Sequence, residues 1–277
     1  MIITFEINSI SYTADTSFPF IISIPLNFNS EQPNSYNVPK ATSSAYEADG
    51  FVGDTRRGGG CNFEVYTLIT HCNGTHTECI GHIAEERISV SKVLKDSFFP
   101  ATLITLEPEK ASAATDSYDP PMNGSDHIIT KKILEEKLRN ADKNFLKAVI
   151  IRTLPNDSSK MTKNYMTDLP PYFTIEAMEY ISNLKVHHLL MDIPSVDRTF
   201  DKGKLTAHHI FWNVPFGSHD VDKIDHSLKT ITEMIYAADD ISDGVYLLNI
   251  QIPDFTADAA PSRIMLYNIL KNNSIQI

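Results

Sequence analysis

The stretch TIEAMEYISNLKVHHLLM, residues 174–191, joins a predicted helix to a predicted strand. Thr174 is a good N-cap residue, and apolar residues follow it at helical spacing. The run VHHLLM at 186–191 then has the length and apolar character of a strand. The same order occurs just upstream, where KKILEEKLRN at 131–140 precedes KAVIIR at 147–152. Alternation of helices and strands predicts an α/β fold.

The flanks of this region are rich in β-forming residues. Aromatic and β-branched runs predict strands at NFEVYTLIT (62–70), ATLITL (101–106), VYLLNIQI (245–252) and RIMLYNIL (263–270). The apolar run FPFIISIPL at 18–26 contains two prolines and predicts a strand or a buried loop. Turn residues at 111–125 and 156–168 predict exposed loops. No stretch has the composition of a domain linker, so we expect a single domain over residues 1–277.

The composition restricts the class of protein. The 277 residues carry 24 Lys+Arg against 35 Asp+Glu, a formal charge of −11. This argues against nucleic acid as a partner, because such proteins usually present a basic face. No run reaches the roughly 20 apolar residues of a membrane span, and the first residues do not resemble a signal peptide. Three cysteines are too few for a disulfide framework. We therefore expect a reduced, cytoplasmic protein with no membrane partner.

One segment concentrates chemistry-bearing side chains: HCNGTHTECIGH at 71–82 holds three of the ten histidines, two cysteines and one carboxylate. Imidazole, thiolate and carboxylate are the ligands of zinc and related divalent metals. In an extended chain His76 and Glu78 point to the same side. Gly74 lets the backbone bend, so that the residues before it can fold back toward them. The segment predicts a metal site.

Two known zinc patterns do not fit. The pair His76-x-Glu78 could open a zinc deaminase signature, but this requires a later Pro-Cys-x-x-Cys and no cysteine follows Cys79. No His-Glu-x-x-His is present, which excludes a zincin helix. The glycines of RRGGG at 56–60 are not followed by Gly-Lys-Ser/Thr, so they predict a loop and not a phosphate-binding P-loop.

The segment at 71–82 resembles the metal motif His-x-Gly-Thr-His-x-Asp-x-Pro-x-His of the cyclase superfamily, which includes bacterial kynurenine formamidase and isatin hydrolase. In this alignment His76 is the second histidine, Glu78 replaces the aspartate, and His82 is the last histidine. An isoleucine replaces the proline. The first histidine of the motif falls on Cys72, with His71 one residue earlier. Either residue can supply the first ligand, and we prefer His71 because a free thiolate beside a hydrolytic water is prone to oxidation.

The resemblance continues downstream in four further segments: DIPSVD at 192–197, AHH at 207–209, ITE at 231–233, and ADAAPSR at 257–263. In the first, Asp192 and Asp197 are interpreted as turn-stabilising residues. The second implies a histidine ligand, either His208 or His209, and we prefer His208 for its position relative to Phe211-Trp212. The resemblance makes Glu233, on a stretch interpreted as helical, a further ligand.

Taken together, the resemblance implies a swivelling β/α/β domain with a mixed sheet and flanking helices. It implies one or two divalent ions, zinc first and manganese as the alternative, bridged by Glu78 if two are present. The implied ligands are His71, His76, Glu78, His208 and Glu233. Metal-activated water would attack a small amide, formamide, cyclic amide or lactone, with His82 as general acid and base. The implied enzyme is arylformamidase-like, as in tryptophan catabolism, homo-oligomeric, and acts on a small molecule.

A second hypothesis is a non-catalytic protein whose metal only holds the fold together. Cys72 and Cys79 could join His76 and His82 in a closed Cys₂His₂ zinc site that leaves no position for water. Ligand identity separates the two hypotheses, since the enzyme requires nitrogen and oxygen ligands around an open position.

Overall fold

The computed structural model describes residues 1–222 and 224–272. The helices in these ranges are short: α1 (Val90–Val93), α2 (Lys131–Leu138), α3 (Ile175–Asn183) and α4 (Thr206–Trp212). The strands are β1 (Ile2–Ile7), β2 (Ile10–Asp15), β3 (Phe20–Ile21), β4 (Thr42–Ala45), β5 (Glu47–Ala48), β6 (Phe51–Val52), β7 (Glu64–Thr67), β8 (His76–Cys79), β9 (Phe98–Leu106), β10 (Glu109–Lys110), β11 (His127–Ile129), β12 (Ala148–Thr153), β13 (Tyr172–Phe173), β14 (His188–Met191), β15 (Thr230–Glu233), β16 (Gly244–Gln251), β17 (Ala259–Pro261), β18 (Arg263–Tyr267) and β19 (Ile269–Lys271).

A mixed nine-stranded sheet dominates the structure, in the order β17-β8-β15-β14-β12-β9-β16-β18-β3. Its centre, β9, β12, β14 and β15, is parallel. Antiparallel strands continue the sheet on both sides. Smaller sheets are formed by β1-β2-β19, β10-β11-β13, β4-β7 and β5-β6. The predicted α/β class, with a mixed sheet and flanking helices, is confirmed.

The two faces of the central strands belong to two different cores. On β12, Val149 and Ile151 pack with residues of α2, α3 and α4. The alternate residues Ala148 and Ile150 pack with apolar side chains of β9, β16 and β18. Both faces of the parallel strands are therefore buried, which explains the continuous apolar run in the sequence.

The helices begin where the sequence predicts them. The Thr130 hydroxyl accepts a hydrogen bond from the backbone N–H of Ile133 at the start of α2. The Thr174 hydroxyl does the same for Ala177 in α3. Each cap satisfies a backbone donor that has no partner within the helix. In the described ranges no helix has both the length and the apolar character that crossing a bilayer requires.

Three predicted elements differ from the observed ones. The strand predicted at 62–70 is only β7, and it pairs with β4 beside the main sheet, with all four residues exposed. The predicted strand at 263–270 is two strands, because β18 pairs with β16 whereas β19 pairs with β2. Glu233 was expected on a helical stretch and instead ends β15. Its neighbours pair with β14 and β8, and this long-range pairing overrides the local pattern.

Candidate metal centre

Strand β8 positions the first two candidate ligands. His76 and Glu78 lie two residues apart on β8, which runs between β15 and β17. The register places Glu233 directly opposite His76 and Ala259 opposite Glu78. Side chains of opposed residues stand on the same face of a sheet, so the register itself brings His76 and Glu233 together.

The other candidate ligands converge on this pair from distant parts of the chain. Nδ1 of His71 lies 3.0 Å from Oε2 of Glu78, and Nε2 of His208 lies 2.9 Å from Oε1 of the same carboxylate. Nε2 of His76 lies 3.3 Å from Oε2 of Glu233. The structure therefore places all five predicted ligands in one cluster. The predicted base His82 borders it, with Nδ1 3.7 Å from Oε2 of Glu78.

The sequence left two ligands open, His71 or Cys72 and His208 or His209, and the structure favours one residue of each pair. Within the described residues, each group of side chains able to share a metal ion contains His71 or His208; none contains Cys72 or His209, and none contains the predicted ligand Glu233, which joins the cluster through its contact with His76. The His209 ring faces the carbonyl of Val214 instead, at 3.3 Å. The Cys79 thiol points to the opposite side of β8, where it donates to the carbonyl of Ile88. The Cys₂His₂ site of the second hypothesis is thus not assembled.

Asp197 holds His208 in place. Its carboxylate is buried, accepts the backbone N–H groups of Ala207 and His208, and lies 2.5 Å from Nδ1 of the His208 ring. A neutral ring that donates Nδ1–H to Asp197 presents the Nε2 lone pair to the cluster. This carboxylate–histidine arrangement is typical of metal sites, where it sets the tautomer and the ring orientation. The carboxylate of Asp197 was expected to stabilise the turn at 192–197, but it binds Tyr118 and the first residues of α4 instead, where it orients a candidate ligand.

We expect Asp197→Asn to weaken metal binding by about 10- to 100-fold, because the ring of His208 loses its orienting carboxylate. The measurement is a competition titration with a coloured chelator. Asp201→Asn is the matched control. Asp201 is also buried, and its carboxylate accepts the backbone N–H groups of Gly203 and Leu205, just before α4, but it contacts no candidate ligand. Equal affinities in the two variants would contradict the orienting role.

Asp258 belongs to the cluster and was missed by the sequence analysis. Its Oδ2 lies 2.9 Å from Nε2 of His71 and 3.5 Å from Nδ1 of His82. The backbone carbonyl of Asp258 accepts the N–H of Cys79, next to the β17–β8 pairing. The only signal in the sequence was a carboxylate just before the AAPSR segment, and nothing local showed that this segment pairs with the metal motif.

The donor set fits a divalent cation. Nδ1 of His76 lies 3.0 Å from the carbonyl of Gly74, to which it donates, so Nε2 carries a lone pair. That Nε2 is fully buried and has no hydrogen-bond partner, although the Glu233 carboxylate faces it. Two electron-rich atoms facing each other in a buried site are unfavourable unless a proton or a metal cation lies between them. Imidazole nitrogens and carboxylate oxygens are suitable ligands for Zn²⁺ or Mn²⁺.

The charges of the cluster are also compatible with a bound cation. Burial raises the pKa of the Glu233 carboxyl, and the negative charge of Glu78 raises it further. For Glu78 burial acts in the same direction, but the positive charges of His82 and His208 outweigh it and lower the pKa well below 4.5. In the metal-free protein, protonated imidazoles therefore provide the positive charge that a bound ion would otherwise supply.

His71 makes this charge balance dependent on pH. Burial alone would lower the pKa of His71, but its hydrogen bonds with Asp258 and Glu78 raise it to about 10 from an ordinary value of 6.5. A pKa that is higher in the folded state stabilises the fold fully below pH 6.5, and this stabilisation is lost as the pH rises through 10.

We expect the melting temperature of chelator-treated protein to fall between pH 6.5 and 10, and the fall to be smaller in His71→Gln. A flat profile, identical in both proteins, would contradict the pairing.

One side of the cluster is open. His76, Glu78, His208 and Glu233 are at most 3% exposed. By contrast the side chains of His71, His82 and Asp258 are 29%, 27% and 29% exposed. His82 and Asp258 also line a cavity of about 310 Å³, together with Gly81, Ala84, Glu85, Arg87, Ile88, Ser89, Thr256 and Ala257. A small molecule can therefore approach the candidate metal ligands from this side.

Comparison with known proteins shows the family of this chain. Residues 9–198 match the family model described as putative cyclase. The chain belongs to the cyclase family. A search of curated proteins found no match. The residues of the family motif at 71–82 supply four side chains of the cluster described above.

Several solved structures of other proteins share the fold. A potential metal-dependent hydrolase with cyclase activity is 15% identical, with 91% of this chain and 98% of that chain covered and a TM-score of 0.58. A predicted metal-dependent hydrolase from Bacillus stearothermophilus is 15% identical, with 90% and 98% covered and a TM-score of 0.57. Isatin hydrolase A from Labrenzia aggregata is 12% identical, with 92% and 94% covered and a TM-score of 0.58. At these identities the likeness concerns the fold alone.

Proposed function

We propose that this member of the cyclase family is a metal-dependent hydrolase of a small amide, formamide, cyclic amide or lactone, with arylformamidase-like chemistry. The observation that carries the proposal is the buried, unpartnered Nε2 of His76 facing the Glu233 carboxylate. The cluster has the nitrogen and oxygen donors of a hydrolytic site, and its open side leaves room for water and substrate.

We propose His71, His76, Glu78, His208 and Glu233 as the ligands. A bound divalent ion supplies Lewis acidity and lowers the pKa of a water molecule from 15.7 to near 7. If two ions bind, Glu78 would be the residue to hold both, because one of its oxygens faces His71 and the other faces His208. Zinc is the first expectation and manganese the alternative, since both accept imidazole and carboxylate ligands.

His82 is the group that moves the proton in this proposal. It is the partly exposed histidine between the buried ligands and the cavity, and its ring lies 4.4 Å from that of His71. Nδ1 is the ring nitrogen of His82 that faces Glu78, at 3.7 Å, and Asp258, at 3.5 Å, so in this proposal it is the atom that takes a proton from water and passes it to the leaving group. The low exposure of the surrounding ligands excludes bulk water from their side.

Names of structural neighbours suggest substrates to test. One neighbour is an isatin hydrolase bound to the product analogue thioisatinate. We propose to strip the purified protein with a chelator, reload it with Zn²⁺ or Mn²⁺, and assay isatin, N-formylkynurenine and simple lactones. Turnover that disappears on chelation and returns with metal supports the proposal. No turnover of any of these by protein shown to hold metal would contradict it.

The homo-oligomeric state implied by the resemblance stays a prediction. One feature favours it: Tyr46, Phe51 and Phe63 pack on one another beside the main sheet and are 42%, 40% and 54% exposed. Exposed apolar patches of this kind often mark contact surfaces between proteins.

A further inference from the structure

The segment that directly follows the metal motif forms one wall of the cavity beside His82. It supplies five of the residues that line this cavity: Ala84, Glu85, Arg87, Ile88 and Ser89. The cavity volume of about 310 Å³ lies at the small end of the range of about 300–1,000 Å³ that is typical of small-molecule sites. A ligand of this cavity is therefore small, and it contacts His82 and this segment together.

The backbone of the segment is fixed at its beginning. Nδ1 of the His219 ring lies 2.7 Å from the carbonyl oxygen of Ile83, and the backbone N–H of Glu85 donates to the carbonyl of His219 at 2.9 Å. Gly81 lets the segment pack directly on the metal motif, because a Cβ atom there would lie 2.1 Å from the carbonyl oxygen of Ile88. The segment cannot move away from the motif without losing these contacts.

The end of the segment is fixed as well. The Ser89 hydroxyl donates to the carbonyl of Phe255 at 2.9 Å. The backbone N–H of Val90 donates to the carbonyl of Ala257 at 2.8 Å. Arg87 thus lies between two anchored stretches of backbone. A binding group on such a preorganised segment loses little conformational freedom when a ligand binds.

The charge of Arg87 has no partner within the protein. Arg87 is exposed and lines the cavity. None of the hydrogen bonds or ion pairs within residues 1–222 and 224–272 involves its guanidinium, and Glu85 on the same wall forms no ion pair with it. Carboxylates are in excess in this chain, whose formal charge is −11. A guanidinium that stays unpaired beside a cavity is available to an anion from outside.

We propose that Arg87 is a specificity-determining residue that binds a carboxylate group of the substrate. The substrate is then an amide or lactone that carries a carboxylate in addition to the bond that is cleaved. This proposal rests on the hydrolase function proposed above. The N–H donors of a guanidinium form a planar fork that matches the two oxygens of a carboxylate.

The lining of the cavity supports a carboxylate in particular. Since Arg87 and His82 line the same small cavity, one molecule can place its carboxylate on Arg87 and its scissile bond beside His82. Glu85 and Asp258 line this cavity too. Their negative charges repel a doubly charged phosphate more strongly than a singly charged carboxylate.

The first test compares two substrates that differ by one carboxylate, N-formylanthranilate and formanilide. We expect the ratio of their kcat/KM values to fall by about 10- to 100-fold in Arg87→Gln, mainly through a higher KM for N-formylanthranilate. Arg87→Lys keeps the charge but not the fork, so it should recover part of this loss. Arg139→Gln is the matched control, because Arg139 is also exposed and without an ion pair but lies at the end of α2, outside the cavity lining.

The second test does not depend on turnover. Benzoate, neutral benzamide and phenyl phosphate are titrated calorimetrically into the Zn²⁺-loaded proteins. We expect the affinity ratio of benzoate to benzamide to fall about 10-fold in Arg87→Gln and to stay unchanged in Arg139→Gln. Tighter binding of phenyl phosphate than of benzoate by the wild type would overturn the assignment of a carboxylate.

The two tests distinguish the failure of this inference from the failure of the proposed function. If no formamide is hydrolysed but Arg87→Gln lowers the benzoate ratio, the hydrolase function fails and the anion site at Arg87 stands. If wild type and Arg87→Gln show the same substrate ratio and the same benzoate ratio, the inference is overturned and the hydrolase function stands.

Discussion

Glu78→Gln is expected to remove the bound metal and to lower kcat/KM by about 10³-fold or more. The side chain of Glu78 is 1% exposed, and its two oxygens face His71 and His208. The amide has nearly the same shape but lacks the negative charge, and one of its two oxygens becomes an NH₂ donor that cannot bind a cation. A metal contributes several kcal/mol of charge stabilisation in the transition state, and about 4 kcal/mol corresponds to 10³-fold in rate.

The measurement is metal stoichiometry by mass spectrometry together with the hydrolysis rate. Glu64→Gln is the matched control, since Glu64 lies on the exposed strand β7 and outside the cluster. Both variants should fold, which circular dichroism checks. A Glu78→Gln protein with full metal content and full rate would show that this carboxylate is not a ligand.

His82→Ala is expected to keep its metal and to lose about 10²- to 10⁴-fold in rate, the usual contribution of a general acid or base. His82 borders the cavity, and Asp258 faces one nitrogen of its ring. The ligands around His76 remain complete, so metal affinity should change little. The loss should appear in kcat, because proton transfer occurs in the chemical step.

His127→Ala is the control for this variant, since His127 is exposed at the start of β11. Loss of metal from His82→Ala would instead make His82 a ligand, since one donor atom each of Glu78, His82 and His208 lie within 4.8 Å of one another. A variant that keeps both its metal and its full rate would remove the proposed role of His82.

Local sequence signals predicted the middle of the fold well. The caps at Thr130 and Thr174 and the apolar run at 147–152 depend on neighbours in sequence, so they could be recognised directly. Glu233 shows the limit of this approach. Its strand is defined by pairing with β8 and β14, which are distant in sequence, and no local pattern contains that information.

Some residues of the candidate site could likewise be predicted from local sequence, and others could not. His76 and Glu78 could be predicted because they lie in one short segment where alternate residues share a face. Asp258 could not, since it reaches His71 only through the pairing of β17 with β8. The orienting role of Asp197 was likewise hidden, because a turn-stabilising aspartate and one that orients a histidine look alike in sequence.

Anomalous scattering from crystals grown with Zn²⁺ or Mn²⁺, recorded at the two metal edges, tests the metal centre most directly. We predict at least one strong peak at about 2.0–2.2 Å from Nε2 of His76 and from a carboxylate oxygen of Glu78, with an open coordination position toward the cavity. An empty centre, or a metal held by Cys72 and Cys79, would contradict it.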